Sequence, residues 1–237
     1  MPGAPHDGAR WHPSPNHGAR RGGVLPDMVV LHYTAMDSAE AALERLCDPQ
    51  AEVSAHYLIC ERGRLWQLVG EAGRAWHAGA GRWGAVDDVN SASIGIELAN
   101  RGDHPFPEPQ MRALEALLAG VMDRWRILPE RVIGHSDMAP ERKLDPGRRF
   151  DWRRLARAGQ SVWPDAASGV AGPPDAARFR ALAGRIGYDM RAGDAALLAA
   201  LRLRFRPWGR GPLAAADMGV AADLARRFPV DWGDTSA

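Results

Sequence analysis

The chain has 237 residues, of which 46% are hydrophobic and 25% charged, and its formal net charge is +1 at pH 7. A chain of this length builds a full hydrophobic core without staples, as one large domain or as a medium domain with a small one. The near-zero net charge gives no electrostatic argument for binding nucleic acid or an anionic membrane, and no apolar run is long enough for a membrane span.

The first part of the chain predicts an irregular arm followed by a strand and a helix. Residues 1–27 are rich in Pro, Gly, His and Arg, which favours a surface arm. The apolar run 28–33 is typical of a buried strand. Ser38 precedes an Ala- and Leu-rich segment, 39–46, which predicts an N-capped helix ending before Pro49.

The next segment predicts a β-hairpin and a further strand. Residues 55–60 and 65–69 flank a turn at 61–64, as the two strands of a hairpin do. We expect the Gly- and Trp-rich residues 71–92 to form a loop, and residues 93–98 to form another strand.

A helix and a short strand complete the predicted sheet. Residues 109–127 have their large apolar side chains at helical spacing, which predicts an amphipathic helix. Residues 131–135 predict a short strand. Because strands and helices are mixed and one hairpin is antiparallel, we expect an α/β fold with a mixed central sheet flanked by helices.

The C-terminal part is helical in pattern. We expect residues 1–158 to form one domain, 159–174 a linker, and 175–237 a small C-terminal three-helix bundle. Three aspartates are the predicted helix caps: Asp175, Asp194 and Asp217.

Lys143 is the only lysine among 30 basic residues. It lies between His135 and Asp145 in a loop stiffened by two prolines, which suggests a metal site with a cation beside it. Lysine is a compact charge that arginine does not replace at such a site. The alternative is a surface lysine without a function.

Two histidines are predicted to meet at the end of the sheet. His32 ends the first strand and His135 ends the last, and ligands of α/β sheets gather at strand ends. With Asp145 they make a two-histidine, one-carboxylate set, which leaves an open position on a catalytic Zn2+ and allows it to acidify a water. Glu97 lies on an otherwise apolar strand and needs a partner there, either a water on the metal or an arginine.

Five short motifs follow one another along the chain, at residues 30–34, 53–59, 75–79, 93–98 and 134–147. In this order they resemble the motifs of the type 2 amidase family of N-acetylmuramoyl-L-alanine amidases, which share a fold with peptidoglycan-recognition proteins and phage T7-type lysozyme. The aspartate at position 145, where other members have cysteine, resembles the anhydro-muropeptide and outer-membrane amidase branches.

The resemblance implies zinc on His32, His135 and Asp145, with Glu97 and Lys143 as catalytic residues. It implies hydrolysis of the amide bond between N-acetylmuramic acid, in its ordinary or 1,6-anhydro form, and L-alanine, with peptidoglycan or muropeptide fragments as partners. His56 and His77 are also open to a core role. The candidate substrate-binding residues are Tyr33, His56, Trp76, His77, Asn90 and Arg142.

Residues 175–229 resemble a peptidoglycan-binding triple-helix domain. The pair Leu201-Arg202 replaces the aromatic–glutamine pair usual in the second helix, so the bundle is open between binding glycan and packing on the first domain.

Two other functions have some support in the sequence. Residues 79–84 match the G-x-G-x-x-G pattern of dinucleotide-binding sites, but no strand leads into them and no helix follows, so the pattern does not predict an oxidoreductase. The alternative is a non-catalytic peptidoglycan-recognition module, which the complete set of metal ligands disfavours.

Location and redox state are predicted from simple features. The N-terminus has no apolar segment typical of a signal peptide, which predicts a cytoplasmic protein. The alternative is a periplasmic or cell-envelope location, which the resemblance of the C-terminal bundle to a wall-binding domain favours. Cys47 and Cys60 are not in a metal or redox spacing and predict buried thiols in a reducing compartment, with a single disulfide between them as the alternative. The sequence gives no indication of the oligomeric state.

Overall fold

The computed structural model describes residues 8–165 and 173–230. The strands are β1 (Arg10–Trp11), β2 (His17–Ala19), β3 (Met28–Tyr33), β4 (Tyr57–Ile59), β5 (Leu65–Gln67), β6 (Gly73–Ala75), β7 (Ser93–Leu98) and β8 (Val132–Gly134). The helices are α1 (Ala39–Cys47), α2 (Val89–Ala92), α3 (Glu108–Trp125), α4 (His135–Met138), α5 (Trp152–Arg157), α6 (Ala176–Ile186), α7 (Asp194–Phe205) and α8 (Ala215–Arg227). Within the described ranges, no helix is both long enough and apolar enough to cross a membrane.

Six strands form one mixed sheet in the order β1-β5-β4-β7-β3-β8. Strands β4, β7, β3 and β8 run parallel, whereas β5 is antiparallel to β4 as a hairpin partner. His32 on β3 lies opposite Glu97 on β7 in the register. This pairing confirms the predicted mixed α/β fold and brings two candidate site residues to the same end of the sheet.

The central strand β3 is apolar along its whole length because both of its faces are covered. Val29 and Leu31 belong to a core shared with α3, whereas Met28 and Val30 belong to a second core on the opposite face. Alternate residues of a strand face opposite sides, so His32 is on the same face as Val30.

The helices α6, α7 and α8 form the predicted three-helix bundle and cover that second face of the sheet. Their buried side chains, among them Phe179, Leu201 and Leu224, join one hydrophobic cluster with Val30 and Ile133 of the sheet. The division into domains at residues 158 and 175 stays a prediction, and residues 166–172 of the predicted linker lie outside the described residues.

Two stretches predicted to be irregular contain regular structure. The arm at residues 1–27 includes β1, which pairs with β5, and β2, which pairs with β6. Residues 71–92 contain β6 and the short helix α2. Strands of two or three residues leave no period in a sequence, so they could not be read from it.

The predicted helix caps are correct for Asp175 only, whose side chain accepts a hydrogen bond from Arg178 N. Asp194 is the first residue of α7 and follows Gly193 at the cap position. Asp217 lies in the first turn of α8, where its side chain accepts from the backbone N–H of Ala214. Both residues therefore lie inside their helices, near the N-terminal end.

Glu71 is a buried carboxylate with partners on β4 and α3. It accepts hydrogen bonds from the Tyr57 hydroxyl (2.6 Å), the Arg124 guanidinium (2.6 Å) and the Trp125 indole (2.6 Å). Burial acts to raise the pKa of Glu71, but these hydrogen bonds outweigh it and lower the pKa below its ordinary value. Cys47 and Cys60 are both free thiols. Cys60 is buried as predicted, but the prediction of a buried thiol is wrong for Cys47, which is partly exposed.

Candidate functional site

Three side chains converge at the carboxyl end of the sheet. His32 comes from the end of β3, His135 from the residue that follows β8, and Asp145 from the loop after α4. The His32 Nδ1 and His135 Nδ1 atoms are 2.9 Å apart, and each is 3.0 Å from Asp145 Oδ2. All three residues are buried, and together they form a group able to hold a metal ion. The structure brings together the three residues that the sequence predicted.

The loop carrying Asp145 is packed closely against the residues around His135. Ser136 N donates a hydrogen bond to the Asp145 carbonyl oxygen at 2.9 Å. A side chain on Gly134 would meet Pro146 Cδ at 2.8 Å and the Trp152 ring at 3.2 Å. Only glycine at this position lets the two ligand-bearing segments approach so closely.

Hydrogen bonds behind the site determine which ring nitrogens of the two histidines carry protons. His135 Nε2 lies 2.8 Å from the Ala78 carbonyl oxygen, and a carbonyl oxygen accepts only from an N–H. The proton of neutral His135 is therefore on Nε2, and its Nδ1 lone pair points into the site.

A chain of three hydrogen bonds determines which ring nitrogen of His32 carries the proton. The Ser93 hydroxyl donates to the Val89 carbonyl oxygen at 2.5 Å, so it accepts from His77 Nε2 at 3.2 Å. His77 Nδ1 then accepts from His32 Nε2 at 3.0 Å. The Nδ1 atom of His32 is left as a lone pair directed at His135 and Asp145.

Burial keeps the two linked histidines neutral. It lowers the pKa of His32 to about 4, and the nearby His135 acts in the same direction. Burial also lowers the pKa of His77 well below its ordinary value, with His32 as the next cause. Neutral imidazoles with free lone pairs are the form that binds metals.

The donor set fits a metal ion. When both rings are neutral, two nitrogen lone pairs and a carboxylate oxygen converge with no proton between them, and such an arrangement is repulsive unless a cation lies among the three atoms. Ligand atoms around tetrahedral zinc, at about 2.0–2.1 Å from the metal, are about 3.3 Å apart. The observed separations of 2.9–3.0 Å are close to that value.

A cavity of about 420 Å³ opens beside the three ligands. Glu97 and Lys143, the two residues expected to be catalytic, both line it. The Oε2 atom of Glu97 is buried and has no hydrogen-bond partner among the described residues. Burial raises the pKa of Glu97 to about 8, with the charge of Asp145 as the second cause. A carboxyl group in this state takes up and releases a proton near neutral pH.

Four of the six candidate substrate-binding residues line this cavity: Tyr33, Trp76, His77 and Arg142. The Arg142 guanidinium also donates hydrogen bonds to the carbonyl oxygens of Ala78 and Ala80. It therefore fixes the loop whose Ala78 carbonyl orients His135. Apolar side chains that were not among the candidates from the sequence, including Met36, Val53 and Leu144, also line the cavity.

The structure does not bring the other two candidates, His56 and Asn90, into the cavity. His56 is fully buried, its Nδ1 accepts from Gly95 N, and burial, with Arg20 as the next cause, lowers its pKa to about 3. Asn90 Oδ1 accepts hydrogen bonds from the backbone N–H groups of His77 and Ala78. Both residues lie behind the cavity wall because their polar atoms bind backbone groups there.

Sequence reasoning missed two residues that hold His77 in place. Ser93 accepts its Nε2 hydrogen, and Gly95 leaves room for its ring, since an added Cβ would lie 2.4 Å from His77 Cγ. An isolated glycine inside a strand is a signal of such a close approach, and position 95 carried that signal.

Comparison with known proteins agrees with this geometry. A family model described as N-acetylmuramoyl-L-alanine amidase matches residues 22–148. The N-acetylmuramoyl-L-alanine amidase AmiD of Escherichia coli strain K12 is 36% identical over 234 residues, which cover 86% of this chain and 84% of AmiD.

Solved structures show the same similarity. AmiD from E. coli, in complex with the substrate anhydro-N-acetylmuramic acid-L-Ala-D-gamma-Glu-L-Lys, superposes with a TM-score of 0.81 at 35% identity, covering 90% of this chain and 93% of that one. AmpDh3 from Pseudomonas aeruginosa, in complex with anhydromuramic pentapeptide, has a TM-score of 0.78 at 30% identity and covers 97% of this chain and 100% of that one. This chain belongs to the N-acetylmuramoyl-L-alanine amidase family and is an amide-bond hydrolase.

Proposed function

We propose that this enzyme is a zinc-dependent amidase that cleaves the bond between 1,6-anhydro-N-acetylmuramic acid and L-alanine in soluble muropeptides. The observation that carries the proposal is the convergence of three lone-pair donors beside a cavity lined by Glu97 and Lys143. The anhydro form of the sugar is supported by the muropeptides bound to AmiD and AmpDh3.

Each residue has a role that follows from its position. His32, His135 and Asp145 would hold the metal through two imidazole nitrogens and one carboxylate oxygen. Zinc, when bound there, acidifies a water and polarises the scissile carbonyl. The carboxyl group of Glu97, which lacks a partner among the described residues, accepts the proton of the attacking water and delivers it to the leaving amine of L-alanine.

Lys143 supplies a positive charge on the same cavity wall. A carbonyl under attack develops negative charge on its oxygen, and a fixed cation in a partly buried site stabilises that charge in the transition state. Lysine presents this charge as a compact point on a flexible stem, whereas the arginine used elsewhere in the chain is a planar fork. The retention of one lysine in this position fits that requirement.

The reaction is tested by digestion of a purified anhydro-muropeptide followed by mass spectrometry. We expect free anhydro-N-acetylmuramic acid and an intact stem peptide that begins with L-alanine. Glu97→Gln keeps the shape of the side chain but cannot take up a proton, so it should retain zinc and lose about 10²–10⁴ in turnover. Products cut at any other bond would refute the reaction.

Zinc dependence has its own test. Elemental analysis of the purified protein should give one zinc per chain, and chelation should abolish activity that added zinc restores. His135→Ala should lose both zinc and activity, because three protein ligands leave no redundancy. A chelated protein with full activity would contradict the metal role, and a zinc-free wild-type protein that binds muropeptide would favour the non-catalytic recognition module.

The preference for soluble fragments is tested by comparing rates on anhydro-muropeptides and on intact sacculi. Faster turnover of the soluble substrate is the expected result, and it is the result that a cytoplasmic enzyme requires. Faster release from sacculi would refute both the substrate preference and the predicted location.

A further inference from the structure

A buried carboxylate links the C-terminal bundle to the metal centre. Asp137 lies in α4, two residues after His135, and its side chain is 0% exposed. It accepts hydrogen bonds from Gly134 N (2.8 Å), from the Tyr188 hydroxyl (2.9 Å) and from Arg204 Nη1 (2.9 Å). Two of these three donors belong to the bundle region, Tyr188 after α6 and Arg204 on α7. The first donor is the backbone of the residue next to His135.

Arg204 binds both ends of the segment that carries His135, at Val132 and at Asp137. Besides the carboxylate of Asp137, its guanidinium donates to the Val132 carbonyl oxygen at 2.8 Å, at the start of β8. The side chain is 2% exposed, and its guanidinium carbon lies over the Trp152 ring at 4.5 Å from the centroid. One planar group with several donors therefore spans the strand before the metal ligand and the helix that begins with it.

Tyr188 fixes the other carboxylate oxygen, and its own ring is fixed by packing. The ring lies edge-on to Trp83 with centroids 5.2 Å apart. A side chain on Gly187, which has φ of +123°, would meet the Trp83 ring at 2.6 Å, so glycine is required for this contact. Burial and then the Asp137 carboxylate raise the pKa of Tyr188 well above its ordinary value, which keeps its hydroxyl a donor.

These polar contacts impose one geometry on the packed segments, which apolar packing alone does not. The shared hydrophobic cluster already holds the bundle against the sheet, and hydrophobic contact has no preferred direction. A fully buried ion pair adds little net stability, because desolvation offsets the attraction, but it demands one geometry. In this protein that geometry is the orientation of the backbone from which the His135 ring projects.

We propose that Tyr188 and Arg204 are positioning residues of the metal centre, which act through Asp137 to fix His135. The bundle then contributes to catalysis from behind the metal site, and this role requires no glycan on the bundle surface. The inference rests on the proposed function, since it takes His32, His135 and Asp145 to be metal ligands.

The test compares two conservative variants of the full-length protein. Tyr188→Phe removes the hydroxyl bound to Asp137 but retains the ring against Trp83. Tyr57→Phe is the matched control, because it removes a buried tyrosine hydroxyl bound to another carboxylate, Glu71, at 2.6 Å. Replacing Arg204 is less informative, since an unpaired buried carboxylate threatens folding itself.

The readouts are the zinc dissociation constant from chelator competition, kcat and KM separately, and the melting temperature. Tyr188→Phe should weaken zinc binding by about three- to tenfold, less than the loss of a direct partner of a metal ligand because Tyr188 acts through Asp137 and Gly134, and it should lower kcat with little change in KM. Tyr57→Phe should lower the melting temperature but leave zinc affinity within about twofold of wild type.

His135→Ala in the same assay separates failure of the metal site from failure of the positioning role. If the wild-type protein binds no zinc, the proposed function itself is wrong. If the wild type binds zinc and His135→Ala does not, but Tyr188→Phe binds zinc as tightly as wild type, the positioning role is overturned while the metal site stands.

Discussion

Gly95→Ala should weaken metal binding without touching a metal ligand. The added Cβ would lie 2.4 Å from His77 Cγ, 2.5 Å from Cδ2 and 2.7 Å from Nδ1. Strand β7 lies between β3 and β4 and pairs with both, so its backbone has nowhere to retreat. The His77 ring therefore has to move, by about 1 Å, to reach ordinary van der Waals separation.

Moving the His77 ring also removes a hydrogen bond from the metal ligand His32. The hydrogen bond between His32 Nε2 and His77 Nδ1 is 3.0 Å long, and a displacement of this size takes it beyond hydrogen-bonding range. Losing the partner of a metal ligand costs about 10–100-fold in metal affinity, which is roughly 1.4–2.7 kcal/mol. Overpacking of the strand costs a further ~1–3 kcal/mol in the free energy of unfolding.

Zinc affinity from chelator competition, together with thermal unfolding, measures both effects. Gly18→Ala is the matched control, because Gly18 also lies in a strand but an added Cβ there meets nothing within 4 Å. A Gly95→Ala protein that binds zinc as tightly as wild type would refute the hydrogen-bond chain through His77.

Three further predictions concern other parts of the molecule. Lys143→Ala should retain zinc and lose about 10²–10³ in turnover. Lys143→Arg should also have a lower turnover, and an arginine variant with wild-type turnover would show that the lysine is not required. Asn90→Ala should lower the free energy of unfolding by ~1–3 kcal/mol, measured in urea, because two backbone N–H groups lose their acceptor; Asn90→Asp, which keeps an acceptor, should lose less. The pKa of Glu71 is lower in the folded state than its unfolded value of 4.5. Its ionised carboxylate therefore stabilises the fold at pH values above 4.5, and this contribution is lost as the pH falls through the folded pKa. Glu71→Gln should therefore be less stable at neutral pH but lose less stability on acidification, and parallel acid-unfolding curves would contradict this.

The sequence predicted the parts of this protein that have a long pattern or an unusual residue. The run 28–33 is a buried strand because helices cover both faces of the sheet, and the segment 109–127 is an amphipathic helix within two residues at each end. His32, His135 and Asp145 could be grouped because strand ends of a parallel sheet lie together. The lone Lys143 pointed to the same loop.

The sequence could not predict features that depend on atoms meeting across the fold. His56 was a candidate for substrate contact, but its position in a motif does not reveal that Gly95 N occupies its Nδ1. The partners of Asp137 lie 51 and 67 positions away in the chain, and no local pattern indicates them. The division into domains and the cytoplasmic location stay predictions.

The metal centre is also assembled from distant parts of the chain. His32 is separated by 103 positions from His135 and by 113 from Asp145. Bringing such distant positions together costs loop-closure entropy before any contact compensates for it. An unfolded chain therefore offers zinc no preformed site, and β3, β7 and β8 must pair before the metal finds all three ligands. Zinc uptake during refolding should accordingly report the completion of the sheet rather than its nucleation.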